Sequence, residues 1–235
     1  MNQAGIGVYT LGAAARLIQA DRRSISRWLY GYDYARQQQD GTRRQYHSSP
    51  LWTPQHAASG LGDKVLGFQD LLELRIVNEF VQHGVPLLVV RRCLEYARDA
   101  FGLDEYPLTS RRFCTDGRTI FQEVLKEGEE AEVLDLRTRQ YVIREIIKPS
   151  LYAGIEYVGD VARRWYPEGR DRRTIVVDPD QQFGKPIIEE AGVPTETLYA
   201  AYIAEGRSKA AVAHIYEVTP RQVDAAVRFE ERLAA

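Results

Sequence analysis

Guanidinium and hydroxyl groups gathered on one side of a helix have the chemistry of phosphate and base-edge recognition. Arg22, Arg23, Ser26, Arg27 and Tyr30 have that spacing. At about 100° per residue they fall within a roughly 140° arc, opposite Ile25, Trp28 and Leu29. A second basic pair, Arg43-Arg44, lies a short distance on in the chain. Other candidate groups are less well arranged. Glu129, Glu130, Glu132 and Asp135 could form a carboxylate cluster, but they have no His, Lys or nucleophile in register. A solvated acidic rim is the expectation there. His47, His56, His83 and His214 lack ligand spacing, so no metal site is expected. Cys93 and Cys114 form no C-x-x-C pair and are expected as reduced structural thiols, one on a helix and one on a strand. Without a nucleophile–base or metal constellation, neither an enzyme nor a cofactor is expected.

Charge points to the same end of the chain. The 235 residues carry a net charge of −2, which argues against indiscriminate polyanion binding. Residues 1–60, however, hold seven Arg and Lys against three Asp, giving +4. The stretches 61–150 and 151–235 are each −3. A basic end on an acidic chain is the footprint of a segment that meets nucleic acid. At 44% hydrophobic the chain can bury a sizeable core. It has no apolar run of about 18 residues and no signal-peptide layout, so a cytoplasmic location is expected.

The elements that must position these side chains emerge from local patterns. Leu11, Ala14, Ala15 and Ile18 repeat as an amphipathic helix, and the link Gln19-Ala20-Asp21 leads to a second helix that Asp21 can cap. A helix, a short turn and a helix with a basic outer face is the outline of a helix-turn-helix. An ordinary helix pair with a solvated basic face would leave the same residues. The next stretch of chain favours the helix-turn-helix. Tyr32 to Gln39 and Thr42 to His47 flank Asp40-Gly41, a signal for a type I′ hairpin. That hairpin would be a wing, with Arg43 and Arg44 near its tip reaching phosphates.

Ser48 to Asp63 is expected to be a loop. Phe68 to His83, with Leu71, Leu72, Ile76, Val77 and Phe80, and a helix from Pro86 to about Ala100 make a helical hairpin. The acids Asp70, Glu73, Glu79, Glu95 and Asp99 balance Arg75, Arg91, Arg92 and Arg98 there, which suggests packing. Residues 103–173 look strand-rich. A second hairpin is expected at Asp116-Gly117, a strand at Val133–Leu136, and further strands in Tyr152 to Tyr166 and Thr174 to Val177. Val142, Ile143, Ile146 and Ile147 have helical spacing up to Pro149. The last third is helical. Thr195 is expected to cap one helix and Ser208 another, and Thr219-Pro220-Arg221-Gln222 forms a capping box for a third. Residues 208–235 hold four basic and four acidic side chains, a mixed face poor at neutralising phosphates. Protein contact is the expectation for that module.

Longer motifs carry a resemblance. Asp178-Pro179, Phe183-Gly184-Lys185-Pro186-Ile187-Ile188, Gly192-Val193-Pro194-Thr195 and Ala204-Glu205-Gly206-Arg207-Ser208 match the pattern of a small domain of formerly unknown function. The match continues from Val212 to Val218 and from Val223 to Glu230. That domain is similar to a homeodomain-like helical bundle and recurs in VapB-type antitoxins. Glu189-Glu190-Ala191 departs from the Gly-Thr-Arg run of many members. The front, in Tyr9-Thr10-Leu11 through Trp28 and in Leu71 to Gly84, resembles a MerR-type winged helix. The combination resembles the larger VapB-type antitoxins.

The expected fold is therefore α+β. It comprises a winged helix-turn-helix with a helical hairpin over 1–102, a strand-rich middle over 103–173 and a helical antitoxin-associated domain over 174–235. The resemblance implies a type II antitoxin that neutralises a PIN-like ribonuclease toxin and represses its own operon. Binding to double-stranded operator DNA is expected through Arg22, Arg23, Ser26, Arg27, Tyr30, Arg43 and Arg44. A homodimer is expected, because helix-turn-helix proteins usually meet paired half-sites. The alternative is a MerR-like transcription regulator that senses a small molecule and has no toxin partner.

Overall fold

The computed structural model describes residues 6–38, 41–60, 64–102, 106–127, 152, 154–169 and 171–234. The chain is a mixed α+β protein. Strand β1 (Tyr9–Thr10) leads directly into α1 (Leu11–Ile18), whose first turn is capped by Thr10 Oγ1 accepting from the Ala13 amide at 3.2 Å. Gln19 closes α1 in the left-handed conformation, and α2 (Arg22–Tyr30) begins two residues after Ala20. Leu11, Ala14 and Ile18 of the first helix and Ile25, Trp28 and Leu29 of the second are buried together. Strands β2 (Tyr32–Gln37) and β3 (Arg43–Ser48) then form an antiparallel ribbon. Its closing pair is Gln38–Thr42, with Gly41 at φ +80° and its N–H on the Gln38 carbonyl. Three residues lie between them, against the two of the type I′ turn that Asp-Gly signals. Gly41 takes the positive φ that such a loop needs at its last position.

Strand β4 (Val65–Leu66) pairs with β1, and α3 (Phe68–Gln82) and α4 (Leu87–Phe101) form the expected helical hairpin. Two acids of α3 do not lie on its surface. Asp70 and Glu73 are fully buried. Asp70 accepts from Trp52 Nε1 at 2.8 Å, the Gly67 amide at 2.8 Å, the Gln55 amide at 3.0 Å and the Tyr106 hydroxyl at 3.1 Å. Glu73 accepts from the amides of Leu108 and Thr109, each at 2.9 Å. These two amides lie in the 3-10 turn Pro107–Thr109, so Glu73 caps it from another element.

The expected hairpin at Asp116-Gly117 is instead a helix, α5 (Arg111–Glu127). Phe113, Gly117, Ile120, Phe121 and Val124 recur at helical spacing and are buried, and Ser110 Oγ accepts from the Phe113 amide at 3.1 Å. A continuous apolar stripe and a serine cap outweigh one turn dipeptide. Cys114 consequently sits on a helix, half-buried, while Cys93 of α4 is fully buried. The strand expected at Val133–Leu136, the helical stretch Val142–Ile147 and the acids Glu129, Glu130, Glu132 and Asp135 lie outside the described residues.

Strands β5 (Ile155–Val158), β6 (Val161–Trp165), β7 (Ile175–Val177) and β8 (Pro186–Ile188) make one antiparallel sheet in sequential order. The pairing Trp165–Val177 crosses the expected boundary at residue 173, so the middle region and the C-terminal module share a sheet. Helices α6 (Thr195–Ala204), α7 (Lys209–Ile215) and α8 (Pro220–Ala234) pack over its far end. Ser208 caps α7 through the Ala211 amide at 3.2 Å, and Thr219 and Gln222 exchange capping bonds at 3.3 and 2.7 Å. Thr195 is not the expected cap. It opens α6 as the first helical residue and donates its hydroxyl to the buried Glu230 carboxylate of α8. Phe229 is in the core of this module, whereas Leu233 is only partly buried. No helix among the described residues is long and apolar enough to cross a membrane.

The two ends of the chain meet. The Val8 amide donates to the Phe183 carbonyl at 2.9 Å, and the Tyr9 hydroxyl donates to the Gly184 carbonyl at 2.7 Å. Arg16 at the end of α1 reaches Glu230 of α8 at 3.4 Å, and Leu17 packs against both the front core and the C-terminal core.

Candidate nucleic-acid interface

The basic arc begins at a well-made helix start. Asp21 Oδ2 accepts from the Ser24 amide at 2.8 Å and from its hydroxyl at 3.0 Å. These bonds from Ser24 hold the Asp21 carboxyl below its ordinary value, so it stays ionised at the positive end of α2. Burial of Ile25, Trp28 and Leu29 fixes the rotation of the helix. Arg22, Arg23 and Arg27 are therefore exposed, and Ser26 is half-exposed on the same side. None of the three arginines forms an ion pair with a carboxylate among the described residues.

Tyr30 is placed differently. Its hydroxyl donates to the Val65 carbonyl at 3.1 Å and its ring lies 5.5 Å beneath the Lys64 ammonium. Burial raises its hydroxyl pKa. This tyrosine ties α2 to β4 and supports the arc from behind. Lys64 is a cation that sequence reasoning missed. Its Nζ donates to Ser26 Oγ at 3.3 Å, which adds a positive charge to the arc from 38 residues away. No sequence signal marked it, because the β1–β4 pairing that brings it there is only two residues long.

The ribbon is set against α2 by specific contacts. Gly31, at φ +71°, ends the helix where a Cβ would lie 2.6 Å from the Ser48 carbonyl. Only glycine allows that approach. The Leu51 amide donates to the Trp28 carbonyl at 2.8 Å. From α4, Arg91 donates to the Ser49 and Pro50 carbonyls at 2.7 and 2.9 Å, and Arg98 to the Leu51 carbonyl at 3.1 Å. The base of the ribbon is thus held by backbone of α2 on one side and two guanidinia of α4 on the other.

On the ribbon, Arg43 and Arg44 are both exposed but on opposite faces, since side chains alternate along a strand. Arg44 is opposite Arg36, and Tyr46 is opposite Tyr34. Arg36 was not singled out from the sequence; the register that pairs it with Arg44 marks it. The other face carries Asp33, whose carboxylate lies 2.7 Å from His47 Nδ1. Arg22, Arg23, Ser26, Arg27 and the ribbon therefore lie side by side in one front module.

Residues 175–229 match the model of a family described as "Protein of unknown function (DUF433)". That span runs from β7 through most of α8. A curated chain from Mycobacterium tuberculosis (strain ATCC 25618 / H37Rv), "Putative antitoxin VapB45", is 27% identical over 228 residues, covering 93% of this chain and 91% of that one. The X-ray crystal structure of Rv2018 from Mycobacterium tuberculosis shares the fold, with a TM-score of 0.66 at 22% identity over 93% of this chain and 96% of that one. Both similarities extend through the front module, the shared sheet and the C-terminal helices together.

Proposed function

We propose that this chain is a DNA-binding antitoxin. In this reading α1 and α2 are a helix-turn-helix of the MerR-like winged type, with α2 in the major groove and the β2–β3 ribbon as the wing. The chain represses its own operon, acts as a cytoplasmic homodimer and neutralises a toxin through surface outside the front module. It has no catalytic role of its own and needs no cofactor. The observation that carries the DNA part is the exposed arc of Arg22, Arg23, Ser26 and Arg27 beside a basic ribbon, on a chain whose remaining charge is negative. Phosphate neutralisation supplies affinity and the helix supplies the base contacts. The antitoxin part is supported by near full-length similarity to a chain named as an antitoxin. A PIN-like ribonuclease is the toxin class that the family resemblance implies.

Two measurements on the full chain test this reading. A mobility-shift titration with the duplex upstream of its own gene should show a specific complex that outlasts competitor DNA. Co-expression with the product of the adjacent gene should yield a stable complex that lacks the ribonuclease activity of that product alone. A chain that neither shifts its promoter nor binds the neighbouring product does not have this function.

A further inference from the structure

The two faces of the ribbon differ in chemistry, and one of them is built for an anionic polymer. Tyr32, Tyr34 and Arg36 of β2 share a face with Arg44, Tyr46 and Ser48 of β3. That face has no acid. Its rings form a row, with Tyr32 and Tyr34 centroids 5.5 Å apart and Tyr34 and Tyr46 stacked at 5.5 Å. Each ring carries a guanidinium: Arg27 lies 5.0 Å over Tyr32, Arg36 lies 5.6 Å over Tyr34, and Arg44 lies 5.8 Å over Tyr46. Arg27 belongs to α2, so the row continues the basic arc of the helix onto the ribbon.

One feature of the register is unfavourable without a ligand. Arg36 and Arg44 are directly opposite on the same face, where like charges repel. Neither pairs with a carboxylate among the described residues. An anion between them removes the repulsion, and the stacked rings hold both guanidinia in place for it. The Tyr46 hydroxyl accepts from Gln38 Nε2 at 2.8 Å, which leaves its own proton free to donate outward. With guanidinia over the rings, the aromatic faces are already covered. What the row offers is donors for phosphate oxygens, not open platforms for stacking bases.

We infer that the Tyr32–Tyr34–Arg36 and Arg44–Tyr46 face of the ribbon is the surface that lies along the sugar–phosphate backbone of duplex DNA, with Arg27 joining it to α2. Arg43, on the opposite face, is outside the contact. This rests on the DNA-binding reading above and assigns its second contact surface.

The test uses full-length protein, a labelled duplex from the region upstream of its own gene, and a labelled oligo-dT strand of equal length. Fluorescence anisotropy is recorded over a series of salt concentrations. Arg36→Ala and Arg44→Ala should each weaken duplex binding about tenfold and lower the salt slope by roughly one unit, while Arg43→Ala stays within about twofold of wild type. Tyr34→Ala, which frees two rings and a guanidinium, should weaken binding with less change in slope than either arginine variant. All four positions are on the ribbon outside the core, and unchanged melting temperatures confirm that each variant folds. Equal losses for Arg43→Ala and Arg44→Ala, or tighter binding of oligo-dT than duplex, overturn the inference while leaving duplex binding itself established. A wild-type chain that binds no duplex overturns the underlying reading as well.

Discussion

The Tyr9 hydroxyl donates to the Gly184 carbonyl at 2.7 Å, joining residues 175 positions apart in the chain. Tyr9 precedes α1 and Gly184 precedes β8, so this bond fixes the front helices on the C-terminal module. Burial pushes the Tyr9 hydroxyl well above its ordinary pKa, so it remains a donor throughout the physiological range. Gly184 is at φ +83°, and a Cβ there would lie 2.3 Å from the Tyr9 oxygen. Gly184→Ala is therefore expected to cost about 2–4 kcal/mol, from backbone strain and loss of the bond together. Tyr9→Phe removes only the bond and should cost about 1–2 kcal/mol. Urea denaturation monitored by circular dichroism checks both, and equal effects would contradict the steric part of the argument.

Arg91 is expected to position the ribbon without touching nucleic acid. Its fork spans two successive carbonyls at the end of β3. Arg91→Ala should lower affinity for the promoter duplex about fivefold and leave the salt slope unchanged, because no phosphate contact is lost. A slope that falls by a full unit would make Arg91 a direct phosphate ligand.

Glu73 gives the fold a pH dependence of known sign. Burial pushes its carboxyl up to about 7, against the lowering effect of the Leu108 and Thr109 amides, the Thr109 side chain and Arg98. Its unfolded value is about 4.5. Between these values the folded state holds a proton that the unfolded state has released, so stability falls as pH rises. The Glu73 contribution is full below about pH 4.5 and gone above about pH 7, and it amounts to something on the order of 3 kcal/mol. The difference in unfolding free energy between wild type and Glu73→Gln, measured from pH 4 to 8, should track that curve. A difference independent of pH would show that Glu73 does not titrate in this window.

The shared sheet predicts what truncation does. Cutting after residue 173 separates β6 from β7 and leaves the edge of each unpaired. It also removes the partners of Val8, Tyr9 and Arg16. Fragments 1–173 and 174–235 should each be poorly folded when made alone and should associate when co-expressed. A monomeric, cooperatively melting 1–173 fragment would contradict this.

Patterns contained within a few residues were legible in the sequence. The Asp21 cap, the Thr219–Gln222 box and the stripes of α1, α2 and α3 depend on neighbours three or four positions away, and the ribbon is marked by its turn residues. The features that escaped depend on distant partners. Asp70 and Glu73 look like surface charges until Trp52, Tyr106, Leu108 and Thr109 arrive from other segments. Lys64 joins the arc through a two-residue pairing, and the sheet across residue 173 depends on a loop that brings Val177 to Trp165. The helix α5 is masked in the sequence, because Asp116-Gly117 has the composition of a turn and Cys114 and Thr115 also suit strands. For the candidate site, the α2 arginines were legible from angle alone. The separation of Arg43 from Arg44 needed the strand register.

Duplex binding through the exposed arc of α2 is the central proposal for this protein. Arg23→Ala combined with Arg27→Ala removes two exposed guanidinia without disturbing Ile25, Trp28 or Leu29. Binding of this double variant to the duplex upstream of its own gene, compared with wild type at one fixed salt concentration, is the most direct measurement. Each arginine that reads a base edge is worth about 1–3 kcal/mol, so the double variant is expected to bind about thirtyfold more weakly, or weaker still, at unchanged melting temperature. A double variant that binds this duplex as tightly as wild type would contradict the proposal.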